Sequence, residues 1–135
     1  MGVKYMTLFL LFFINAFAQA APLEIEEAFK FTVQDEKNAI KISFVMNKGY
    51  YLYKEKFKFI IDGEIIESKR ISWPLSENFD DPNFGLVQVF KKSDSLYLSI
   101  DNLEKKHTLT IYFQGCTQDG FCYIPFKKEV SLLLF

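Results

Sequence analysis

Thr108-Leu109-Thr110-Ile111-Tyr112-Phe113-Gln114-Gly115-Cys116-Thr117-Gln118-Asp119-Gly120-Phe121-Cys122-Tyr123-Ile124-Pro125 holds both cysteines of a 135-residue chain. Its first six residues alternate with the period of a half-buried strand, and Cys122 to Val130 reads as a second strand running back beside it. Five residues separate the cysteines. Among them is Asp119-Gly120, whose glycine takes positive φ without steric cost and so lets the loop turn tightly. The two sulfurs are therefore expected to face each other across a hairpin. Regular alternation puts Cys116 on the face of Thr108, Thr110, Tyr112 and Gln114, opposite Leu109, Ile111 and Phe113. That is the wetter face, where a partner could reach the sulfur.

Two uses of such a pair compete. As a staple it is weak, because a ring of about seven residues restrains the unfolded chain by only roughly 2.4 kcal/mol. A chain of this length also builds its own core and does not need so small a ring to fold. Redox use fits better, although spacing alone decides little.

Outward from this stretch the chain keeps the same period. Phe29, Phe31 and Val33 alternate with Lys30 and Thr32. Ile40, Ile42, Phe44 and Met46 alternate with Lys41 and Ser43. Phe57, Phe59 and Ile61 alternate with Lys56 and Lys58, and Asp62-Gly63 then signals a hairpin into Glu64-Ile65-Ile66. Val87 and Val89 flank Gln88. Leu96, Leu98 and Ile100 alternate with Tyr97 and Ser99, and Lys91-Lys92-Ser93-Asp94 reads as the turn before them. Helical periodicity is nowhere sustained. Eight to ten short strands with turn signals at these intervals predict one all-β domain, an antiparallel β-sandwich of immunoglobulin type. The stretch from Ser72 to Gly85 breaks the pattern: it is acidic, aromatic and turn-rich, and reads as a loop. Phe79 and Phe84 in it either tuck into the core or cover something.

Met6 to Ala18 is an apolar run that precedes Ala18-Gln19-Ala20, an A-x-A cleavage pattern, with Lys4 the only charge in the first twenty residues. Residues 1–20 are expected to be a secretory signal peptide, since the run is shorter than the ~20 residues that span a bilayer. Residues 21–135 are then the mature domain, in a compartment that permits disulfides. The balance of 16 basic against 17 acidic residues gives no reason to expect a nucleic-acid partner. With half the residues hydrophobic and 18% aromatic, the chain has enough apolar matter for one core. Two cysteines and the single His107, expected in a turn after Lys105-Lys106, fall short of the usual four ligands of a structural metal site.

Gly49-Tyr50-Tyr51-Leu52-Tyr53-Lys54, the Asp81 to Gly85 loop and Gly115-Cys116-(five residues)-Cys122-Tyr123, occurring in this order, resemble the N-terminal periplasmic domain of the thiol:disulfide interchange protein DsbD. The resemblance runs from about Ala28-Phe29 to the C-terminus. It implies an immunoglobulin-like sandwich, reached independently above, and a periplasmic redox relay without a cofactor. Electrons would come from a membrane-embedded thiol-disulfide donor. They would pass to thioredoxin-like acceptors such as disulfide isomerases or cytochrome c maturation reductases.

The same resemblance implies that Cys122 forms the mixed disulfide with a partner and that Cys116 resolves it. Alternation alone would expose Cys116; the resemblance is preferred, with Cys116 expected further under the loop, since a bulge beside Gly115 would flip that residue. Tyr51 and Tyr53 match the tyrosines beside the family's cysteines. Asp81 matches its cap-loop acid, and Phe84-Gly85 match the aromatic-Gly end of a cap that shields the sulfurs. A carboxylate near a thiol disfavours the thiolate, which suggests that Asp81 keeps the free dithiol quiet. Where the family's cap carries an acidic and then an aromatic residue, this chain has Pro82 and Asn83, so Phe84 or Phe79 is left to build the shield. The family's membrane spans and thioredoxin-like domain have no counterpart here, which leaves a stand-alone domain or a fragment. The competing reading is an immunoglobulin-like binding or adhesion module whose disulfide is purely structural.

Overall fold

The alternating segments become strands whose apolar members share one interior. A computed structural model describes residues 21–101 and 106–133. After a single helical turn at Ile25–Ala28 come β1 (Phe29–Glu36), β2 (Ala39–Met46), β3 (Tyr50–Tyr53), β4 (Lys58–Ile61), β5 (Glu64–Ile65) and β6 (Ile71–Ser72). They are followed by β7 (Glu77–Asp81), β8 (Gly85–Phe90), β9 (Asp94–Ser99), β10 (Lys106–Phe113), β11 (Gly115–Thr117) and β12 (Phe126–Leu133). Every pairing is antiparallel. Among the described residues no helix is long and apolar enough to cross a membrane. Residues 1–20, where a signal peptide is expected, lie outside the described residues.

The strands form three four-stranded sheets, ordered β1-β2-β9-β6, β12-β10-β4-β5 and β11-β3-β8-β7. The first two pack face to face through the residues that alternation marked as apolar. Ile40, Ile42, Phe44, Leu96 and Leu98 of one sheet meet Phe59, Leu109, Ile111 and Phe113 of the other. Phe31 and Phe113 pack across the gap with tilted rings, centroids 4.7 Å apart. The third sheet lies at one end of this sandwich, and β3, one of its two inner strands, is buried on both sides. Leu52 of β3 and Phe90 of β8 point into the large core, while Tyr51, Tyr53 and Val89 point the other way into a second, smaller cluster. Period-two geometry thus gives one short strand two interiors.

Several expectations are corrected here. The acidic stretch read as a loop contains β7, which pairs with β8 from Glu77↔Val89 to Asp81↔Gly85. Its residues are mostly exposed, so hydrophobic periodicity could not reveal a strand held by backbone pairing. The turn expected over Lys91 to Asp94 is shorter, because Asp94 already opens β9, and it leads from β8 into a different sheet. The return strand starts at Phe126 and not at Cys122, which forms only an isolated bridge to Cys116. His107 lies in β10, beside Asp62, and not in a turn. There are twelve strand segments among the described residues rather than eight to ten.

Candidate functional site

Gln114 is where the chain changes sheets. β10 belongs to the sheet of β4 and β12, but after Gln114 the backbone pairs with β3 as β11, matching Gly115↔Leu52, Cys116↔Tyr51 and Thr117↔Tyr50. Gly115 permits this switch. A Cβ there would sit 2.3 Å from Phe29 Cζ and 2.7 Å from the Tyr51 carbonyl oxygen, so no larger residue fits. The change of sheet also breaks the alternation, and Gly115, Cys116 and Thr117 are all buried. The expectation that Cys116 lies on the wetter face is therefore wrong. The cause is a change of sheet and not a bulge within one ladder.

Beyond β11 the loop is closed by its own backbone. Thr117 N–H donates to the Phe121 carbonyl at 2.7 Å, Gly120 N–H donates to Thr117 at 3.1 Å, and Gly120 has φ of 99°. Gln118 N–H reaches back to the Gly49 carbonyl at 2.7 Å. This geometry brings Cys122 opposite Cys116 with Cα atoms 4.1 Å apart, inside the limit of about 7 Å for bridging, and the two are joined as a disulfide. Cys116 is fully buried and Cys122 half-buried.

Residues distant in sequence surround the sulfurs, some in contact and others through a neighbour. Tyr53 Oη lies 3.0 Å from Cys116 Sγ and 3.9 Å from Cys122 Sγ. Its hydroxyl donates to Asp81 Oδ2 at 2.5 Å, and Tyr51 donates to the same oxygen at 2.7 Å. Asp81 Oδ1 accepts the backbone N–H groups of Asn83 at 2.7 Å and Phe84 at 2.9 Å. One carboxylate, only 3% exposed, thus joins the tyrosines of β3 to the turn between β7 and β8. Burial alone would raise the Asp81 carboxyl. The two phenols and two backbone amides outweigh it and hold the group below the usual carboxylate range. Burial and then the hydrogen bond to Asp81 push Tyr51 up to about 12, and the same causes raise Tyr53 further.

Asp81 therefore acts on the sulfurs through intermediaries, Tyr53 beside Cys116 and the turn residue Asn83 beside Cys122. Because the Tyr53 proton is committed to Asp81 and the disulfide-bonded Cys116 carries none, the approach of the phenol oxygen to Cys116 Sγ is a close contact rather than a hydrogen bond. Phe84 packs edge-on against the Tyr53 ring at 5.3 Å, and Phe79 packs against Tyr51 at 4.8 Å. Of the two, Phe79 is partly buried and packs against the small cluster of Tyr51, Tyr53, Val89 and Cys116, while Phe84 is 47% exposed. Gly85 starts β8 with φ of 71°, which ends the turn in a conformation suited to glycine.

Asn83 stands out among the residues that sequence reasoning did not assign to the site. It had counted only as a departure from the family's cap, yet its side-chain amide donates to Cys122 Sγ at 3.3 Å. Val89 was read as part of an ordinary strand and proves to be the floor of the small cluster. A single valine at strand period carries no signal of which interior it faces.

Three comparisons bear on this arrangement. The thiol:disulfide interchange protein DsbD of Klebsiella pneumoniae is 31% identical over 107 residues, covering 79% of this chain but 18% of that protein. The N-terminal domain of Neisseria meningitidis DsbD in the reduced form superposes with a TM-score of 0.74 at 23% identity, over 82% of this chain and 88% of that one. A complex between the DsbD N-terminal and PilB N-terminal domains of N. meningitidis matches with a TM-score of 0.63 at 21% identity, over 81% and 85%. These likenesses establish the expected fold, an immunoglobulin-like β domain. The family described as thiol:disulfide interchange protein DsbD, N-terminal, matches residues 19–134, and the chain belongs to it.

Proposed function

We propose that this domain is a periplasmic thiol-disulfide relay that carries two electrons at a time through Cys116 and Cys122. The observation that carries this reading is the asymmetry of the pair: one sulfur is fully buried and the other is half-buried under a turn that donates to it from Asn83. A structural staple needs no such turn. Related proteins named for thiol:disulfide interchange support the reading, as does a Neisseria relative in complex with a second protein domain.

In the proposed cycle a thiolate of a membrane-embedded donor attacks Cys122 Sγ. The Cys116–Cys122 bond breaks, and Cys116 leaves as a thiolate that takes up a proton. The donor's second thiol then attacks its own sulfur in the mixed disulfide and frees Cys122, so the domain has gained two electrons and two protons. In the second half, the Cys122 thiolate attacks the disulfide of a thioredoxin-like acceptor, such as a disulfide isomerase or a cytochrome c maturation reductase. Cys116 displaces the reduced acceptor and the intramolecular disulfide re-forms. No cofactor takes part. While the reduced domain waits, the Cys116 thiol donates to the Tyr53 oxygen, whose own proton belongs to Asp81. That favours thiol over thiolate and slows wasteful oxidation. The hairpin of β7 and β8 serves as a cap, with Asp81 as its anchor and Phe84 as its outer cover. Export by cleavage after Ala20 puts the domain where such partners work.

A trapping experiment tests the division of labour. Cys116→Ala should accumulate a mixed disulfide through Cys122 with a thioredoxin-like protein in periplasmic extract, and Cys122→Ala should not. The reverse result would exchange the two roles. Adducts from neither variant, together with a potential below roughly −300 mV against glutathione, would instead favour a binding module with a structural disulfide.

A further inference from the structure

The cap's two aromatic rings are each held from two sides. Tyr53 lies against one side of Phe84, and the ammonium of Lys56 stands 4.7 Å from the ring centroid. Tyr51 lies against Phe79, and the ammonium of Lys91 stands 4.6 Å from its centroid. Both lysines come from backbone that the site already anchors. Lys56 ends the 3-10 turn Lys54–Lys56 that follows Tyr53 directly, and Lys91 follows Phe90 at the end of β8. Phe84 needs this hold most. It is 47% exposed, and it borders a cleft of about 220 Å³ lined by Tyr53, Lys56, Leu86 and Gln88, into which it could swing.

We propose that Lys56 and Lys91 form a cationic latch that keeps the cap closed over the cysteine pair. A cation over an aromatic face is attracted by the ring's negative quadrupole, and a lysine held there by its own backbone adds to closure without touching either sulfur. The two lysines are therefore positioning residues, with rings that act on the sulfurs through Tyr51, Tyr53 and Asn83. The inference rests on the reading of the β7–β8 hairpin as a cap.

Reduction of the oxidised domain by dithiothreitol, which is uncharged as the dithiol, tests the latch. Lys56→Met and Lys91→Met keep side-chain length and remove charge. Each should raise the second-order rate constant about two- to fivefold, the weight of an exposed cation–π contact. The double variant should show roughly the product, since the two lysines hold different rings. Loss of a positive charge would by itself slow the approach of an attacking thiolate, so acceleration reports opening of the cap. Lys56→Arg and Lys91→Arg should return the rate to that of the parent domain, because guanidinium also binds a ring face. Methionine variants that react at the parent rate, or arginine variants that behave like methionine, would overturn the latch. Phe84→Ala serves as the control for the cap itself. If it accelerates reduction while the methionine variants do not, the cap stands and only the latch falls. If it leaves the rate unchanged, the cap reading fails as well.

Discussion

Two hairpins of this domain are organised by an aspartate, and they use it differently. In the hairpin of β4 and β5, Asp62 and Gly63 occupy the turn at φ of 49° and 86°, the doubly left-handed geometry that matches strand twist. The Asp62 carboxylate ties this turn to β10 by accepting the Thr108 N–H at 3.0 Å and meeting His107 Nδ1. In the hairpin of β7 and β8, Asp81 holds its own turn with one oxygen and the two tyrosines of β3 with the other. Both carboxyls are held below the usual range. For Asp62 the Thr108 amide is the main cause, whereas for Asp81 four donors must overcome burial. The Asp62 side chain is 48% exposed and Asp81 is 3% exposed. Water can replace the partners of the first but not those of the second, so the same device trims a turn in one place and builds a site in the other.

The largest effect expected from this contrast is the loss of Asp81. Asp81→Asn replaces a charged acceptor of four hydrogen bonds in a dry setting and should destabilise the oxidised domain by about 2–4 kcal/mol, measured by urea unfolding. Asp62→Asn should leave the midpoint unchanged within error. Equal losses from the two variants would break the comparison.

Reduction of the disulfide should cost roughly 2.4 kcal/mol by the chain-restraint account. Hydrogen exchange should locate the change at the β7–β8 turn and the Thr117–Phe121 loop while β4 and β5 keep their protection. Protection lost evenly across the molecule would show that the bridge serves the whole fold. Gly115→Ala places a Cβ against Phe29 and the Tyr51 carbonyl and should cost about 1–3 kcal/mol, with thermal unfolding as the check. A neutral result would mean that the crossing from β10 to β11 is looser than its contacts indicate.

The smallest effect is the response to pH. The Asp81 carboxyl is depressed, so its contribution is complete above the unfolded value of about 3.9 and is lost as pH falls through the lower folded value. The rate of disulfide reduction, followed with a phosphine whose reactivity is calibrated at each pH, should stay flat from neutrality to about pH 4 and rise below it. At the alkaline end Tyr51 is raised, so its contribution holds below an unfolded value of about 10 and disappears as pH climbs toward about 12. Phenolate absorbance should show this late titration, and Asp81→Asn should bring it earlier. A rise in reduction rate that begins near neutrality would separate the cap from Asp81.

The core was legible because its signal is repetitive. Phe29 to Val33, Ile40 to Met46 and Leu96 to Ile100 each carry the strand period over several residues, and each buries the face the period marks. Asp62-Gly63 was legible because only a few residue types tolerate its backbone. The strand at Glu77–Asp81 was not, since pairing with β8 holds it and its side chains mostly meet water. Cys116 was misplaced by alternation because the period assumes one continuous ladder, while the chain leaves its sheet at Gln114.

What the sequence determined alone is therefore local or repeated: the all-β class, the apolar faces of the long strands, the turns at Asp62-Gly63 and Asp119-Gly120, and a loop short enough to bring two sulfurs together. The tertiary structure decided which sulfur is the more accessible, which interior Tyr51 and Tyr53 face, that Asn83 meets Cys122, and that Lys56 and Lys91 stand over Phe84 and Phe79. Periodicity reports how a strand meets one surface, whereas these residues are set by contacts among segments 12 to 69 positions apart. Such contacts exist only after the three sheets have closed on one another.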